Sequence, residues 1–245
     1  MIANNQSQFQ PLSSRFANAL TYAFHLHQHQ LRKGSTVPYI SHLMSVAALV
    51  LEDGGDEDAA IAALLHDAIE DQGGNATRNE IRKQFGDAVL RIVDACTESD
   101  ETPKPSWKAR KLRAIAQIQQ AESAIQRVIL ADKLHNLRCI WADWQRQGDR
   151  VWQRFNASPA DILWFYSIFL PREAHAALSM QGLIDHPCAS LASKTLYRAC
   201  LDAVGDRFSS PMLIELRTLL TNLENSLDNL TSNVNSHGKT RLHNY

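Results

Sequence analysis

The stretch Ala62-Ala63-Leu64-Leu65-His66-Asp67-Ala68-Ile69-Glu70-Asp71 sets one imidazole and three carboxylates directly after a run of apolar residues. A helix advances about 100° per residue, so His66 and Glu70 share one face, and Asp67 and Asp71 an adjoining one. Burying such groups uncompensated in an apolar helix is costly, and a bound divalent cation offsets that cost. The competing reading is a solvated helix end, because Gly73-Gly74 follows.

The helical pattern extends outward from this stretch in both directions. Ten glycines, eight prolines and frequent 3.6-residue apolar spacing predict an all-α chain. Helices are expected over 12–31, 39–53, 57–71, 78–85, 88–98, 106–120, 122–147, 159–180, 188–204 and 210–230. Thr77-Arg78-Asn79-Glu80 reads as a capping box with Gly86 closing that short helix, and Ser158-Pro159 as a cap followed by proline at the first helical position. After residue 182, Gly182, Pro187, Gly205 and Pro211 punctuate two shorter amphipathic helices before an Asn-, Ser- and Thr-rich end. The expected organisation is a main helical domain over 12–180, a small helical appendage over 181–230 and a flexible tail over 231–245.

At 245 residues with a formal net charge of −1, the chain has length for a substantial core, and its bulk electrostatics argue against a dedicated nucleic-acid binder. Cys96, Cys139, Cys188 and Cys200 are widely spaced without a Cys-x-x-Cys pair, which suits reduced thiols in the cytoplasm. The polar N-terminus has no apolar signal core, and no stretch reaches about 18 apolar residues, so no membrane span is expected.

In the helix over 122–147, Val128, Ala131, Leu134, Leu137, Arg138 and Trp141 trace a buried stripe. Asp132, His135 and Asn136 lie on it at i, i+3 and i+4, so their side chains form one polar cluster. Buried polar groups need partners, which makes this cluster a site candidate against a simple capping or salt-bridge network. His42, His66, Asp67 and Asp132 then make a candidate ligand set of two imidazoles and two carboxylates. Such N/O donors without sulfur suit Mn²⁺, Fe²⁺, Zn²⁺ or Co²⁺ in an open catalytic site, where the ion acidifies water for attack on phosphorus.

Three motifs occur in order: Pro38-Tyr39-Ile40-Ser41-His42, Leu64-Leu65-His66-Asp67-Ala68-Ile69-Glu70-Asp71 and Leu130-Ala131-Asp132-Lys133-Leu134-His135-Asn136-Leu137-Arg138. They resemble the HD-domain hydrolase of RelA/SpoT-type (p)ppGpp enzymes, most closely its stand-alone form, the small alarmone hydrolases, over residues 15–170. The resemblance implies an HD helical bundle and a metal-dependent removal of the 3′-diphosphate from (p)ppGpp or a close analogue. It implies a single metal ion, usually Mn²⁺, on His42, His66, Asp67 and Asp132. Glu70 and Asp71 match the acidic pair that handles the attacking water. Arg32 and Lys33 match the basic loop that meets purine and phosphate; Lys133, His135 and Asn136 match residues lining the nucleotide pocket, and Tyr39 one supporting base or ribose.

The chain departs from the family pattern in places. Its loop from Arg32 to Pro38 is one residue longer than usual, Leu43 stands where proline commonly follows the first histidine, and Cys139 where threonine is frequent in long bifunctional enzymes. The Trp152-Gln153-Arg154-Phe155-Asn156 stretch resembles bacterial HD phosphohydrolases of unassigned substrate. Two alternatives therefore stand beside the leading one: hydrolysis of another nucleotide or NADPH, and nucleotide sensing without turnover, with a protein partner or second copy engaged through the C-terminal region. No synthetase half is visible. The run Lys108–Arg113 reads as a solvated helix face, with reach to a distal diphosphate as the alternative, and Arg154 is read the same way. His25, His27 and His29 read as surface or supporting groups, and Trp141, Trp144 and Trp152 as packing residues.

Overall fold

The structure, a computed structural model, describes residues 11–98, 103, 105–118, 121–169 and 211–239, with side chains of the last segment described through 227. The described residues are helical, with an isolated bridge between Leu31 and Pro38 and no strand. In chain order the helices are α1 (Ser14–His27), α2 (Ile40–Glu52), α3 (Glu57–Leu65), α4 (Ala68–Asp71), α5 (Asn75–Cys96), α6 (Trp107–Ile118), α7 (Ser123–Gln147), a 3₁₀ turn (Gly148–Arg154), α8 (Pro159–Ser167) and α9 (Pro211–Lys239).

The centre of the bundle is α3, which packs against α1, α2, α5 and α7. It is capped by Asp56, whose side chain accepts from Ala59 N at 2.9 Å, and carries Glu57 and Asp58 in its first turn, where the helix dipole favours carboxylates. Beyond that turn every residue from Ala59 to Leu65 is buried. A helix apolar on all sides belongs inside a protein, and its four alanines let the neighbouring helices approach closely. Ile61, Leu64 and Leu65 each contribute roughly 1.5–3 kcal/mol of burial there.

The helix expected over 57–71 is broken at His66-Asp67, where α3 ends and α4 begins. The His66 Nδ1 lies 2.8 Å from the Ala63 carbonyl oxygen, the acceptor that a continuing helix would offer to the Asp67 N–H. The break turns both side chains toward α2 and α7. The helices expected over 78–85 and 88–98 are both present within α5, separated by a kink at Gly86, whose φ 88°, ψ 174° is not helical. Thr77 is not a cap: α5 begins at Asn75, and the Thr77 hydroxyl reaches back to the Gln72 carbonyl. Ser158 does cap α8, accepting from Asp161 N at 3.1 Å, with Pro159 in the first turn.

On α7 the expected stripe is buried at Val128, Ala131, Leu134 and Leu137. Arg138 departs from it, its side chain 39% exposed because it turns outward to Glu215 on α9. Met212, Leu213, Leu216, Leu219, Leu220 and Leu223 give α9 a stripe at helical spacing, buried against α7 and α8 in the common core. The helix expected over 188–204, the second half of that over 159–180, the domain boundary near 180 and residues 240–245 of the expected tail lie outside the described residues.

Candidate metal centre

Three separate elements meet at one point. The centre receives His42 from the first turn of α2, His66 and Asp67 from the α3–α4 break, and Asp132 from the middle of α7. His66 Nε2 lies 3.0 Å from Asp67 Oδ2 and 3.7 Å from Asp132 Oδ1; His42 Nε2 lies 3.8 Å and 3.2 Å from the same two oxygens. One donor atom each from His42, His66 and Asp67 falls within a 4.8 Å cluster. Both Nε2 atoms are buried without a hydrogen-bond partner. Such orphans are rare in folded proteins, and two of them facing two carboxylates fit a divalent cation.

The far sides of the imidazoles support this. His66 Nδ1 donates to the Ala63 carbonyl, so in the neutral ring, the form that binds a metal, the lone pair is on Nε2. His42 Nδ1 and His135 Nδ1 lie 2.8 Å apart, so one must donate and the other accept. Burial and the His42 and Arg32 neighbours push His135 down to about 4, so it is neutral near pH 7 and able to accept. In the tautomer with His135 accepting, His42 carries its proton on Nδ1 and presents a bare Nε2. Burial lowers the His42 pKa; burial alone would lower His66 as well, but Asp67 and Asp132 raise it well above the ordinary value. Burial pushes the Asp132 carboxyl up, yet Lys133 and the two imidazoles hold it well below the ordinary range. The centre therefore favours positive charge between its carboxylates.

Around these four groups the remaining candidate residues divide onto two sides. Toward solvent lies a cleft of about 800 Å³, walled by Arg32, Lys33, Tyr39, Asp71, His135 and Asn136 together with Arg138, Cys139, Arg154 and Tyr166. That volume is in the range of small-molecule sites. Arg32 Nη2 donates to Asn136 Oδ1 at 2.6 Å, and Asn136 Nδ2 donates to Asp132 Oδ1 at 2.5 Å, so the basic loop is tied directly to the centre. The Tyr39 hydroxyl donates to Asp67 Oδ2 at 2.5 Å, while its ring stacks on His27 at 5.3 Å and lies under the Arg32 guanidinium at 5.5 Å.

On the opposite side sits Lys133, which is not part of the cleft wall. Its Nζ donates to Asp132 Oδ2 at 2.7 Å, with Glu98 at 3.8 Å and the Phe165 ring centroid at 5.7 Å. Glu70 faces this side too, accepting from Glu98 N at 3.1 Å, whereas Asp71 faces the cleft and accepts from Gln30 Nε2 at 2.9 Å. The acidic pair is thus split between two surroundings. The basic run over 108–113 is not simply a solvated face, because Arg110 and Lys111 are largely buried and reach Glu98 at 3.2 Å and 2.5 Å.

Two supporting groups escaped the sequence reading. Gln30 Oε1 accepts from Gln72 Nε2 at 2.6 Å and lies 2.7 Å from His27 Nδ1, which fixes the carboxamide so that its amide nitrogen faces Asp71. Glu98 anchors three cations. Neither has a charge pattern or spacing that marks it; the one local signal is that His27 recurs on the buried face of α1 with Ala19 and Ala23.

Residues 19–163 match the family described as HD domain, more than half of the 245 residues. The chain belongs to the HD-domain family. Its helical bundle and its His/Asp cluster are the family's fold and a site for a divalent metal. The chain is 36% identical over 136 residues to the guanosine-3′,5′-bis(diphosphate) 3′-pyrophosphohydrolase MESH1 of Xenopus tropicalis, covering 53% of this chain and 73% of that one. It is 35% identical over 129 residues to the Mus musculus protein of the same name, covering 51% and 69%. Among solved structures, a metazoan ortholog of SpoT that hydrolyzes ppGpp shares the fold, with a TM-score of 0.58 at 20% identity over 87% of this chain and 98% of that one. No helix among the described residues is long and apolar enough to cross a membrane.

Proposed function

We propose that this chain is a metal-dependent pyrophosphohydrolase that removes the 3′-diphosphate of (p)ppGpp or a close analogue. The observation that carries this reading is the pair of orphaned, buried imidazole nitrogens facing Asp67 and Asp132 at the foot of a nucleotide-sized basic cleft. The names of the Xenopus tropicalis and Mus musculus relatives support the substrate. His42, His66, Asp67 and Asp132 would hold the ion, and Mn²⁺ is the proposed one, in keeping with a donor set of nitrogen and oxygen. The bound ion supplies positive charge against the phosphoryl oxygens and acidifies water.

The chain's own groups do the rest. Asp71, oriented by Gln30, is the proton acceptor on the cleft side, and Glu70 is the supporting carboxylate behind it. Arg32 and Lys33 hold phosphate and base, Arg32 being fixed by Asn136 and by the Tyr39 face. Phosphoryl transfer is largely positioning plus charge neutralisation, and these groups supply both. Tyr39 acts through Asp67, and Lys133 through Asp132 and not by touching substrate. Thiols Cys96 and Cys139 are free, in keeping with a cytoplasmic enzyme.

Mn²⁺-loaded protein should release pyrophosphate from ppGpp, and His66→Ala should abolish both metal binding and release. Protein that leaves ppGpp intact while cleaving NADPH or another nucleotide would move the substrate assignment to that molecule. Tight nucleotide binding with no turnover would instead make the chain a sensor.

A further inference from the structure

Arg154 stands on the cleft wall beside the loop that carries Arg32 and Lys33. Its stem lies against Gly34, where an added β-carbon would come within 3.3 Å of Arg154 Cδ. Gly34 has φ +73°, a left-handed conformation that glycine adopts without steric cost, so the loop and the side chain close on each other at this point. The guanidinium donates through Nη1 to Asp143 Oδ2 at 2.5 Å and lies 5.0 Å from the Phe155 ring centroid. Stem, head and ring face are all constrained, and 16% of the side chain remains exposed. A cation held this way loses little freedom when it takes up a ligand.

The charges at this end of the cleft do not cancel. Asp143 is shared between Arg154 at 2.5 Å and Arg146 at 2.7 Å, and Lys33 makes no ion pair among the described residues. Two arginines therefore share one carboxylate, and Lys33 lines the same cleft beside Gly34. Asp143 engages a single nitrogen of Arg154, which leaves the rest of the five-donor fork for phosphate oxygens. The other end of the same loop is joined to the metal centre through Arg32, Asn136 and Asp132. Two residues of chain advance at most about 7 Å, so the Arg32 and Gly34 backbones are close, and Arg32 and Arg154 line the same cleft of about 800 Å³.

We propose that Arg154, with Lys33 and Arg146, forms a second anion subsite at the end of the cleft away from the metal centre, and that it takes the phosphoryl group of a nucleotide that is not the one removed. This rests on the nucleotide-hydrolase reading above and adds a specificity residue to it. A nucleotide phosphorylated at both ends is selected over one phosphorylated only at the end that is cleaved.

The test uses the full chain loaded with Mn²⁺ and two substrates: ppGpp, and guanosine 3′-diphosphate, which lacks the 5′ phosphoryl groups. Arg154→Gln should raise KM for ppGpp about tenfold, equivalent to about 1.4 kcal/mol, with kcat changing less than about twofold. The wild-type preference for ppGpp over guanosine 3′-diphosphate should shrink by the same factor. Arg154→Lys, which keeps the charge and loses the fork, should fall between the two and serves as the second probe if Arg154→Gln does not fold. An unchanged preference in both variants overturns the subsite. If the wild type cleaves neither compound, the hydrolase reading falls. Equilibrium binding of the same pair then decides the subsite: a selective loss of ppGpp affinity in the variants keeps it, and equal affinities sink it.

Discussion

Two basic clusters lie on opposite sides of Asp132, and their fates differ. Behind the metal centre, Lys133, Lys111 and Arg110 converge on Glu98, and the Phe165 ring lies beneath the two lysines at 5.7 Å and 4.5 Å. In front of it, Arg32 engages, among the described residues, the Asn136 amide and the Tyr39 face, and Lys33 lines the cleft. The rear cluster has the denser run of positive residues in sequence, yet its charge is absorbed by Glu98, Asp132 and Glu70 together and largely withdrawn from solvent. The front cluster keeps its charge for a ligand. The lesson is that a basic residue's availability is set by whether an anion has already been folded against it.

Asp132 joins the two sides, receiving Lys133 on one oxygen and Asn136 on the other, so Asp132→Ala should have the largest effect. It should abolish bound Mn²⁺, measured by metal analysis, and pyrophosphate release together. Retention of metal would show that the two clusters are not joined through the centre.

Glu98→Gln attacks the rear cluster alone. Removing one member of a buried charge group costs about 3–5 kcal/mol, measured by denaturant unfolding. The effect should depend on pH with a definite sign. Burial pushes the Glu98 pKa up, but Lys133, Lys111 and Arg110 bring it below the ordinary 4.5. A depressed carboxylate stabilises the fold above its unfolded pKa, so the gap between wild type and variant should be full at neutral pH. It should shrink as pH falls below 4.5 through the depressed folded value. A gap that persists in acid would mean that Glu98 acts by packing and not by charge.

Gln30→Leu should act on the front side without touching any cation. Loss of a group that orients a functional side chain typically costs 10–100-fold, so kcat should fall by about that much while metal content stays constant. In an Asp71→Asn background the same change should add little, since the Gln30 effect runs through Asp71. Lys33→Ala should be the mildest change, raising KM for ppGpp while leaving unfolding free energy within about 0.5 kcal/mol. A destabilisation as large as that of Glu98→Gln would erase the distinction between the clusters.

Much of this architecture was legible in order along the chain. The all-α class, the course of α7 and the Ser158-Pro159 start of α8 follow from periodicity and capping, which are local properties. Where local rules misled, a longer-range contact explains it. Thr77 followed by Glu80 has the spacing of a capping box, but the hydroxyl bonds back to Gln72 and the helix starts two residues earlier. The unbroken helix over 57–71 ignored a histidine ring that competes for a backbone carbonyl. Arg138 fits an apolar stripe by spacing alone, and is drawn out of it by Glu215, which is 77 residues away.

The sequence by itself determined which chemistry is available: two imidazoles and two carboxylates on three helical segments, with basic residues near the first. Side-chain type and helical phase are written locally, so motifs expose them. The tertiary structure alone decided how those groups are spent. It split Glu70 from Asp71, placed Lys133 behind Asp132, withdrew Lys111 and Arg110 onto Glu98, and fixed Arg154 against Gly34. These outcomes depend on which oppositely charged or hydrogen-bonding group arrives from a distant segment, and electrostatic interaction follows distance in space and not position along the chain.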